Sequence, residues 1–527
     1  MASGKTWNRR LALAGGAALA AGGGYLAFRS RHDRTRHVAE PGTLYKGNDA
    51  EPESLDPSLV QAYPEQEILG DLMIGLMDSD PSGHPVPGMA THWETSPDGL
   101  TWTFHLREAL WSDGTPVTAQ DFVFSWRHLL DPATAAIYAY FGYVIRNAVA
   151  VNKGKMPVTA LGAQALDNRT LEIALEHPAP YMLQMMTHAS MCPQPRHVVE
   201  TKGPGWARPG SYVGNGPFLL KEWVPNGHVT LEKNPRFYDA ATVSLKKVIY
   251  YPTDDYGAAL QRFRAGELDY QDRLPGAQID WVRAHMPETL DPVPQLITDM
   301  IAVNFARKPF DDIRVRQAIS LAIEREAICE RVLRGQYVPA YNLVPPTTAN
   351  YPGGPSLAFK HTPYAARLAQ ARALMQQAGF GPGNALRTTL LTRATTVGIY
   401  RSAAAALQQM LAQIHIDISI LPNDMMVFYD TIQQHNFDMA YGGWQADFDD
   451  ASTFLELYIT GGGNNWGVYS DQAFDRALAA AQQDANLVSR GQKLAAAEAI
   501  LLRDHAIMPL YFWTSQNLTR PYLQGFE

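Results

Sequence analysis

Cysteine is scarce in this sequence, with only Cys192 and Cys329 among 527 residues. Two cysteines cannot build a disulfide framework, and without a CxxC pair they cannot build a zinc knuckle. Free cysteine is usually buried, so the pattern predicts two isolated buried thiols. A single disulfide bond between the two residues remains compatible with the sequence.

Charged residues are also few, at 18% of the chain, whereas hydrophobic residues make up 46%. This balance indicates a globular protein and not a disordered one. The length suggests more than one domain. The formal net charge is −8, although residues 1–38 contain seven basic residues and one acid. The rest of the chain is therefore acidic, which argues against nucleic acid as the main partner.

Motifs for catalysis and cofactor binding are missing from the sequence. No GxSxG elbow, HExxH helix, P-loop or strand-following GxGxxG occurs, and the 15 histidines form no tight pair that suits a metal. Neighbouring carboxylates do occur at 254–255, 311–312 and 449–450. Because adjacent side chains point in different directions on a helix or strand, we interpret these pairs as turns and helix caps. The sequence therefore favours binding over catalysis, with no metal and no cofactor.

The first 39 residues have the order of an export signal. Lys5, Arg9 and Arg10 precede an apolar run at 11–28, and the paired arginines resemble a twin-arginine signal. The run of about 18 residues is at the lower limit for a membrane span, and no clean Ala-x-Ala cleavage site follows it. Residues 1–39 are thus expected to be a cleaved signal peptide or an N-terminal membrane anchor. No later stretch is apolar enough to cross a bilayer.

Hydrophobic periodicity predicts a mixture of strands and helices. In residues 100–107, Leu100, Trp102, Phe104 and Leu106 share one face, which is typical of a half-buried strand. The other predicted strands are 170–175 and 229–233, and the predicted helices are 312–334, a helix that opens at Thr362 and Pro363 and ends at Gly379, 401–413, 471–484 and 489–504. The mixed order predicts an α/β fold.

Residues 85–126 carry the most distinctive pattern, PVPGMATHWETSPDGLTWTFHLREALWSDGTPVTAQDFVFSW. This segment resembles the signature of the family 5 extracellular solute-binding proteins, the oligopeptide-, dipeptide- and nickel-binding receptors that serve ABC importers. Further segments resemble the family in the same order, namely 51–57, 165–183, 214–223, 309–326, 378–380 and 437–455. Within the family, the sequence is most similar to the periplasmic oligopeptide binders.

The resemblance implies an α/β protein with two lobes joined by a hinge, the class II periplasmic-binding-protein (Venus-flytrap) fold, with an extra domain inserted in the first lobe. The implied lobe one consists of residues 43–77, 196–296 and 515–527. The inserted domain is residues 78–195, and lobe two is residues 297–514.

The same resemblance implies a periplasmic receptor that captures short peptides between its lobes and delivers them to ABC permease subunits in the membrane. It is expected to be a monomer that makes and breaks no bond, tethered to the inner membrane if its N-terminal segment stays uncleaved. An alternative in the same fold is a non-peptide ligand such as a nickel chelate, an opine or a sugar. A peptidase or amidase, and a membrane-anchored chaperone-like protein, are further alternatives.

Residues 442–447, Gly-Gly-Trp-Gln-Ala-Asp, carry the main candidate site. In oligopeptide binders the carboxylate at the Asp447 position pairs with the α-ammonium of the ligand, and a charge removed from water requires such a partner. Gly442 and Gly443 would let a peptide backbone approach like an added strand. Trp444 is either the floor of a side-chain pocket or a core residue. Without the resemblance, composition alone favours Asp447 as a turn residue.

Further candidate ligand-binding residues follow from the resemblance alone. They match ligand-facing or cleft positions of the family, and they are Glu65, Tyr138, Asn304, Asn464, Asn465 and Trp513. A cysteine pair of close relatives aligns with Ile297 and Gln445, so both of its members are replaced together in this chain.

Two family groups that take the carboxyl end of a peptide are also replaced. Tyr441 stands at the position of an arginine, and Gly398 and Ile399 stand near that of a histidine. Arg334 and Arg393 are the candidates to substitute for them. The peptide length preference, and even a ligand with a carboxylate, therefore stay open at this point.

Overall fold

A computed structural model of the protein describes residues 40–60, 62–351, 353–394 and 398–524. Strands and helices are interspersed along these ranges, which confirms the predicted α/β class. The predicted signal or anchor segment, residues 1–39, lies outside the described residues. Within the ranges given, no helix combines the length and the apolarity that crossing a membrane requires.

The strands number seventeen in the described part of the chain. They are β1 (Thr43–Gly47), β2 (Met77–Ser79), β3 (Pro85–Pro87), β4 (Ala90–Thr95), β5 (Thr101–Leu106), β6 (Ala163–Ala165), β7 (Thr170–Ala174), β8 (Phe218–Val224), β9 (His228–Lys233), β10 (Lys247–Tyr251), β11 (Tyr270–Gln271), β12 (Leu290–Val303), β13 (Val338–Pro339), β14 (Leu386–Arg393), β15 (Ile416–Asn423), β16 (Met439–Gln445) and β17 (Ile507–Thr519).

The helices lie mainly between these strands. They are α1 (Tyr63–Leu72), α2 (Ala119–Leu130), α3 (Ala148–Asn152), α4 (Met182–Met185), α5 (Arg196–Lys202), α6 (Tyr256–Ala265), α7 (Ile279–His285), α8 (Ile313–Ala322), α9 (Tyr364–Gln377), α10 (Ile399–Ala412), α11 (Met425–Gln433), α12 (Ser452–Leu455), α13 (Gln472–Gln482) and α14 (Leu487–Arg503), with a π-helix at Ala327–Val332.

Eleven strands form one large sheet, in the order β15, β14, β16, β12, β17, β11, β1, β10, β9 and β8, with β13 paired to β17. The strands β12 and β17 contain 14 and 13 residues. They pair with each other antiparallel over Leu290–Pro294 and again over Thr298–Ala302, with a break in register between the two stretches. These two long strands therefore connect the two halves of the sheet.

In the described part of the chain, the buried apolar side chains form two large clusters and a small one. The largest draws its members from residues 300–511 and packs around β12, β14, β15 and β16. The second draws its members from residues 44–250 and includes a separate four-stranded sheet in the order β4, β5, β7 and β6. The small cluster packs around α6 and α7. The large sheet thus carries two main hydrophobic cores.

Most of the predicted elements are confirmed. The strand predicted at 100–107 is β5, in which Trp102, Phe104 and Leu106 are buried and the alternate residues are not. The other two predicted strands are β7 and β9, and the last three predicted helices are α10, α13 and α14. The side-chain period of two therefore identified the buried face of β5 correctly.

Two helix predictions are wrong at their boundaries. The helix predicted at 312–334 is α8 followed by the π-helix, because Ile323 adopts an extended backbone and ends α8. The buried guanidinium of Arg325 donates hydrogen bonds to carbonyl groups at this break, including that of Ile323, and so satisfies groups that a continuous helix would have paired. The helix predicted from Thr362 begins one position later, with Pro363 as its N-cap.

The two cysteines are buried and free, as predicted. Ile297 and Gln445, which align with the cysteine pair of relatives, lie directly opposite each other on β12 and β16. Two positions far apart in the sequence are therefore cross-strand neighbours, as the alignment requires.

The neighbouring carboxylates have structural roles. Asp255 and Asp312 accept hydrogen bonds from backbone N–H groups in the first turns of α6 and α8, which confirms that they are helix caps. Asp450 is buried, and both of its oxygens accept hydrogen bonds from Arg490. No group of three or more His, Cys, Asp and Glu side chains in the described ranges is arranged to hold a metal ion.

Candidate functional site

Asp447 lies two residues after β16, and its carboxylate is half-buried. Its Oδ1 accepts a hydrogen bond of 3.0 Å from the hydroxyl of Tyr140, 307 residues away in the sequence. Its backbone N–H donates to the hydroxyl of Thr453 at 3.2 Å, which fixes the turn. Burial raises the pKa of Asp447, and the hydroxyls of Tyr140 and Thr453 oppose that shift. Among the described residues, Asp447 is therefore a partly desolvated carboxylate without a cationic partner.

Two tyrosines border this carboxylate. Tyr138 and Tyr140 belong to a 3₁₀ segment, Ile137–Val144, and their ring centres are 5.7 Å apart. The ring of Tyr138 also contacts that of His188 at 4.8 Å. Burial, and after it the negative charge of Asp447, raise the pKa values of both phenols. The two rings therefore form an aromatic surface beside Asp447.

Glu65 lies in the first turn of α1 and caps that helix. Its Oε2 accepts a hydrogen bond of 2.8 Å from the backbone N–H of Ala62, and its Oε1 accepts one of 2.9 Å from that of Glu53. Its charge adds to the raised pKa of Tyr138, after the larger effects of burial and of Asp447. The structure thus brings Glu65, Tyr138 and Asp447 into one region, although both carboxylate oxygens of Glu65 already accept backbone hydrogen bonds.

The last residues of β16 have one open main-chain edge. This strand pairs with β12 over 439–445, but it pairs with β14 only over 439–441. Among the described residues, which leave out 395–397 just after β14, the backbone of residues 442–445 therefore has no strand partner on the side away from β12. An extended chain can pair with such an edge through main-chain hydrogen bonds.

The side chains packed against β16 leave little room at Gly442 and none at Gly443. A Cβ atom on Gly442 would lie 3.0 Å from Cζ of Phe428. A Cβ atom on Gly443 would lie 1.8 Å from Oδ1 of Asp299, far closer than non-bonded atoms can approach. Any side chain at position 443 would therefore displace Asp299.

A buried polar cluster surrounds Asp299 on β12. The hydroxyl of Tyr511 donates to its Oδ2 at 2.6 Å, and that of Tyr400 lies 3.4 Å from its Oδ1. Nη2 of Arg393 is 3.8 Å from the same Oδ1 and also donates to Tyr400. Tyr441 is fully buried and shares a hydrogen bond with Tyr511. Burial raises the pKa of Asp299 to about 6, against the lowering effects of Arg393 and Tyr511.

The two candidate tryptophans lie on the strands that flank β12. Trp444 on β16 is half-buried, and its indole N–H donates to the hydroxyl of Thr453 at 3.4 Å. Trp513 on β17 is also half-buried, and its ring centre lies 5.2 Å from that of Tyr337. Both rings are partly accessible, so neither is a pure core residue.

The three candidate asparagines are placed differently. Asn304 and Asn465 are buried, and each side-chain amide donates to two backbone carbonyls. Asn464 is exposed. The side-chain amides of the two buried asparagines therefore stabilise the surrounding loops through hydrogen bonds to the backbone.

The two arginines that the sequence offered for a ligand carboxylate are both in ion pairs. Arg393 lies in the polar cluster beside Asp299. Arg334 is half-exposed, and its Nη1 lies 2.8 Å from the carboxylate of Asp280. Gly398 has a positive φ of 72° and precedes the first residue of α10.

Sequence reasoning missed Tyr140 and Asp299. Tyr140 follows Tyr138 by two residues in an aromatic segment, which was a weak signal. Asp299 interrupts an apolar run at 297–303, and a charge inside a buried strand signals a buried partner. The identity of that partner depends on the order of β14, β16 and β12 in the sheet, which the sequence does not display.

Comparison with known proteins agrees with this architecture. Residues 84–466 match the family described as bacterial extracellular solute-binding proteins, family 5 (middle). The periplasmic oligopeptide-binding protein OppA of Salmonella typhimurium is 36% identical over 498 residues, which cover 93% of this chain and 90% of that protein.

Solved structures are similar over the same extent. The unliganded open form of the periplasmic murein tripeptide binding protein MppA matches with a TM-score of 0.84 and 34% identity, covering 93% of this chain and 95% of that one. Haemophilus influenzae OppA in complex with the peptide RPPGFSPFR matches with a TM-score of 0.74 and 31% identity, covering 93% of this chain and 97% of that one.

These matches confirm the fold that the resemblance implied. The protein has the two-lobed α/β binding-protein fold, with an extra domain inserted in its first lobe. The match to the family extends over more than half of the sequence, and the identity to OppA exceeds one third. The chain therefore belongs to family 5 of the bacterial extracellular solute-binding proteins.

Proposed function

We propose that this protein is the solute-binding receptor of an ABC import system. It captures short peptides in the cleft between its two lobes and delivers them to the permease subunits in the membrane. The observation that carries the proposal is Asp447, a half-buried carboxylate that lacks a cationic partner among the described residues. The similarity to a protein named for oligopeptide binding supports the ligand class.

The α-ammonium group of a peptide suits the surroundings of Asp447. A carboxylate that has lost part of its water is stabilised most by a compact cation that donates several hydrogen bonds. Tyr140 would keep donating to Oδ1 while Oδ2 accepts from the ammonium group. The rings of Tyr138 and Tyr140 would add a cation–π attraction of about 0.5–1 kcal/mol.

The rest of the peptide would lie along the open edge of β16. Main-chain hydrogen bonds to residues 442–445 hold an extended ligand without regard to its side chains, which permits broad specificity. Trp444 and Trp513 would provide apolar walls for ligand side chains. The space beside Gly442 and Gly443 is taken by Phe428 and Asp299, so a ligand would meet the main-chain edge of β16 and not the faces on which these glycines lie.

We assign lobe one to residues 43–77, 196–296 and 515–527, the inserted domain to residues 78–195 and lobe two to residues 297–514. The separation of the two large hydrophobic cores supports this division, since one is drawn from residues before and the other from residues after the start of lobe two.

The strands β12 and β17 would serve as the hinge. The break in their register between Pro294 and Thr298 supports this role, because irregular pairing resists bending less than a continuous ladder does. The TM-score is 0.84 for the unliganded open form of MppA and 0.76 for a second structure of MppA. This difference supports an open resting arrangement that closes over the ligand.

The receptor would work outside the cytoplasmic membrane, as a periplasmic monomer that leaves its ligand intact. The basic and apolar order of residues 1–39 supports export, by a cleaved twin-arginine signal or with an uncleaved tether. The family assignment, to binding proteins, supports a role without catalysis. Sequencing the first residues of the mature protein decides between signal and tether.

Calorimetry with a series of di- to pentapeptides tests the proposal. We expect saturable binding of one peptide per chain, recovery of the peptide unchanged by mass spectrometry, and loss of binding in Asp447→Ala. If no peptide binds, or if Asp447→Ala leaves the affinity unchanged, the peptide assignment is wrong.

A second candidate is a non-peptide solute in the same cleft. The burial of Tyr441 and the pairing of Arg393 with Asp299 favour it, because they leave no free cation there for a ligand carboxylate among the described residues. Mass spectrometry of the ligand that co-purifies under mild conditions distinguishes the two candidates.

A further inference from the structure

The ion pair between Arg393 and Asp299 is built into lobe two as a neutral unit. The side chain of Asp299 is 0% exposed and that of Arg393 is 13% exposed. The guanidinium lies 4.3 Å from the ring centre of Tyr400 and 5.9 Å from that of Phe428. Space for the carboxylate exists because position 443 is glycine. Asp299 therefore balances the positive charge of Arg393 at 3.8 Å without a direct hydrogen bond, while Nε of Arg393 has no hydrogen-bond partner among the described residues.

A second arginine near the cleft, Arg273, also has acidic partners. Arg273 follows β11, and its guanidinium lies 3.4 Å from the carboxylate of Asp49 and 3.9 Å from that of Asp272. It acts electrostatically on Tyr337, whose ring contacts that of Trp513. Glu67 and Lys46 also act electrostatically on Asp272, so three acids and two bases lie on this side and leave an excess of negative charge.

Binding of a ligand carboxylate beside either arginine would therefore be unfavourable. Near Arg393 it would meet the negative charge of Asp299, and near Arg273 it would meet two further acids. It would also lose water without gaining a cation in return. Asp447, in contrast, has no cationic partner among the described residues and can bind a positive group. The charges of the site thus favour the positive amino end of a peptide and disfavour its negative carboxyl end.

We propose that this receptor recognises the amino end of its ligand and does not recognise a free carboxyl end, and that the pair of Arg393 and Asp299 sets this specificity. The inference rests on the proposed function, because it takes a peptide as the ligand. Peptides with a neutral carboxyl end, such as peptide amides, are then bound as well as free acids. Because Asp299 balances the charge of Arg393, a ligand needs an amino group but does not need a terminal carboxylate.

Calorimetry of the wild-type protein with trialanine and with trialanine amide tests this specificity without any substitution. We expect the two dissociation constants to agree within twofold. A preference of tenfold or more for the free acid overturns the inference and leaves the proposed function standing. Absence of binding by both peptides overturns the proposed function and the inference together.

Two variants test the role of the ion pair. Asp299→Asn keeps an oxygen that can accept from Tyr511 but removes the charge that matches Arg393, so we expect a fivefold or greater preference for the free acid. Arg393→Met removes the cation, and we expect the ratio to stay within twofold. Equal affinity of Asp299→Asn for trialanine and trialanine amide would contradict the inference. It would also be contradicted if Arg393→Met lost affinity for trialanine alone. Asp417→Asn, which changes an exposed acid on β15, is the matched control.

Discussion

At the scale of single residues, burial acts on three acids with different results. It raises the pKa values of Asp447, Asp299 and Glu498 alike. Asp299 has a guanidinium and a phenol as partners, and Glu498 accepts from two backbone N–H groups and a phenol. Asp447 accepts only from hydroxyl groups among the described residues. Asp447 is the least buried of the three acids and has no cation beside it among the described residues, so it is the one that an incoming cation can reach.

Substitution of Asp447 by asparagine is expected to weaken the binding of trialanine by roughly 10- to 100-fold. The reason is that a hydrogen bond to a charged group contributes about 1.5–3 kcal/mol, which corresponds to this range of affinities. Calorimetry of the variant and of Asp417→Asn measures the effect. An equal loss in both variants would mean that general charge, and not Asp447, attracts the ligand.

Glu498 is expected to make folding less favourable as the pH rises. Burial raises the pKa of Glu498 from its usual 4.5 to about 7, so the folded protein binds this proton more tightly than the unfolded chain does. Its contribution to stability is complete below pH 4.5 and is lost as the pH rises through 7, by up to about 3 kcal/mol.

Chemical unfolding of the wild type and of Glu498→Gln at pH 5 and pH 8 measures this contribution. The amide oxygen can still accept from the backbone N–H groups of Leu343 and Val344. We expect a smaller loss of stability between the two pH values in the variant than in the wild type. Equal losses in the two proteins would show that Glu498 does not titrate in this interval.

Single residues differ in how well the sequence predicts them. Asp447 could be proposed because its whole segment resembles a family motif, and the structure places it half-buried beside Tyr138. The partnership of Asp299 with Arg393 could not be proposed, because it depends on how three strands align. A charge inside an apolar strand predicts that a partner exists, but it does not say which residue the partner is.

At the scale of elements, β16 connects the buried polar cluster to the candidate site. Its first residues are paired on both edges, and its last residues are paired on one edge among the residues that the structure describes. Asp447 lies two residues after β16, and the pairing of the end of β16 with β12 therefore positions this acid. The open edge and the acid are then presented to a ligand together.

Gly443→Ala is expected to destabilise the protein by about 1–3 kcal/mol, since overpacking of a dense interior costs this much. The new Cβ would collide with the carboxylate of Asp299 and would force it away from Arg393. Thermal unfolding compares this variant with Gly463→Ala, where a Cβ would meet nothing within 4 Å. A melting temperature equal to that of the control would show that Asp299 can move freely.

Periodicity predicted elements well where one face is buried and poorly where tertiary contacts break an element. The strand β5 follows its alternating pattern closely. The helix predicted at 312–334 is interrupted because Arg325 is buried and donates to carbonyl groups at the break. That guanidinium also donates to the carbonyl of Pro509, far along the chain, so no local pattern could reveal the interruption.

At the scale of the whole molecule, two long strands connect two hydrophobic cores. Residues of β12 and β17 enter the largest core at 300–303 and 507–511 and the small core at Leu518, and the register of the two strands breaks between these places. A cleft bounded by two such bodies closes by bending the strands that join them. The contact between Tyr140 and Asp447 joins residues of the inserted domain and of lobe two as we assign them, so it lies where closure would act.

Small-angle X-ray scattering with saturating trialanine is expected to show a smaller radius of gyration than without it, because closure brings the lobes together. In Asp447→Asn the same decrease should require a trialanine concentration that is higher by roughly 10- to 100-fold. An unchanged radius of gyration in a wild-type protein that calorimetry shows to be saturated would contradict the closing motion.

The central claim is that Asp447 receives the positive amino end of a peptide. The most direct measurement is the affinity of the wild-type protein for trialanine and for N-acetyl-trialanine, which differ in that one charge. We predict that acetylation lowers the affinity by fiftyfold or more and that Asp447→Asn removes most of this difference. Equal affinity for the two peptides in the wild-type protein would contradict the claim.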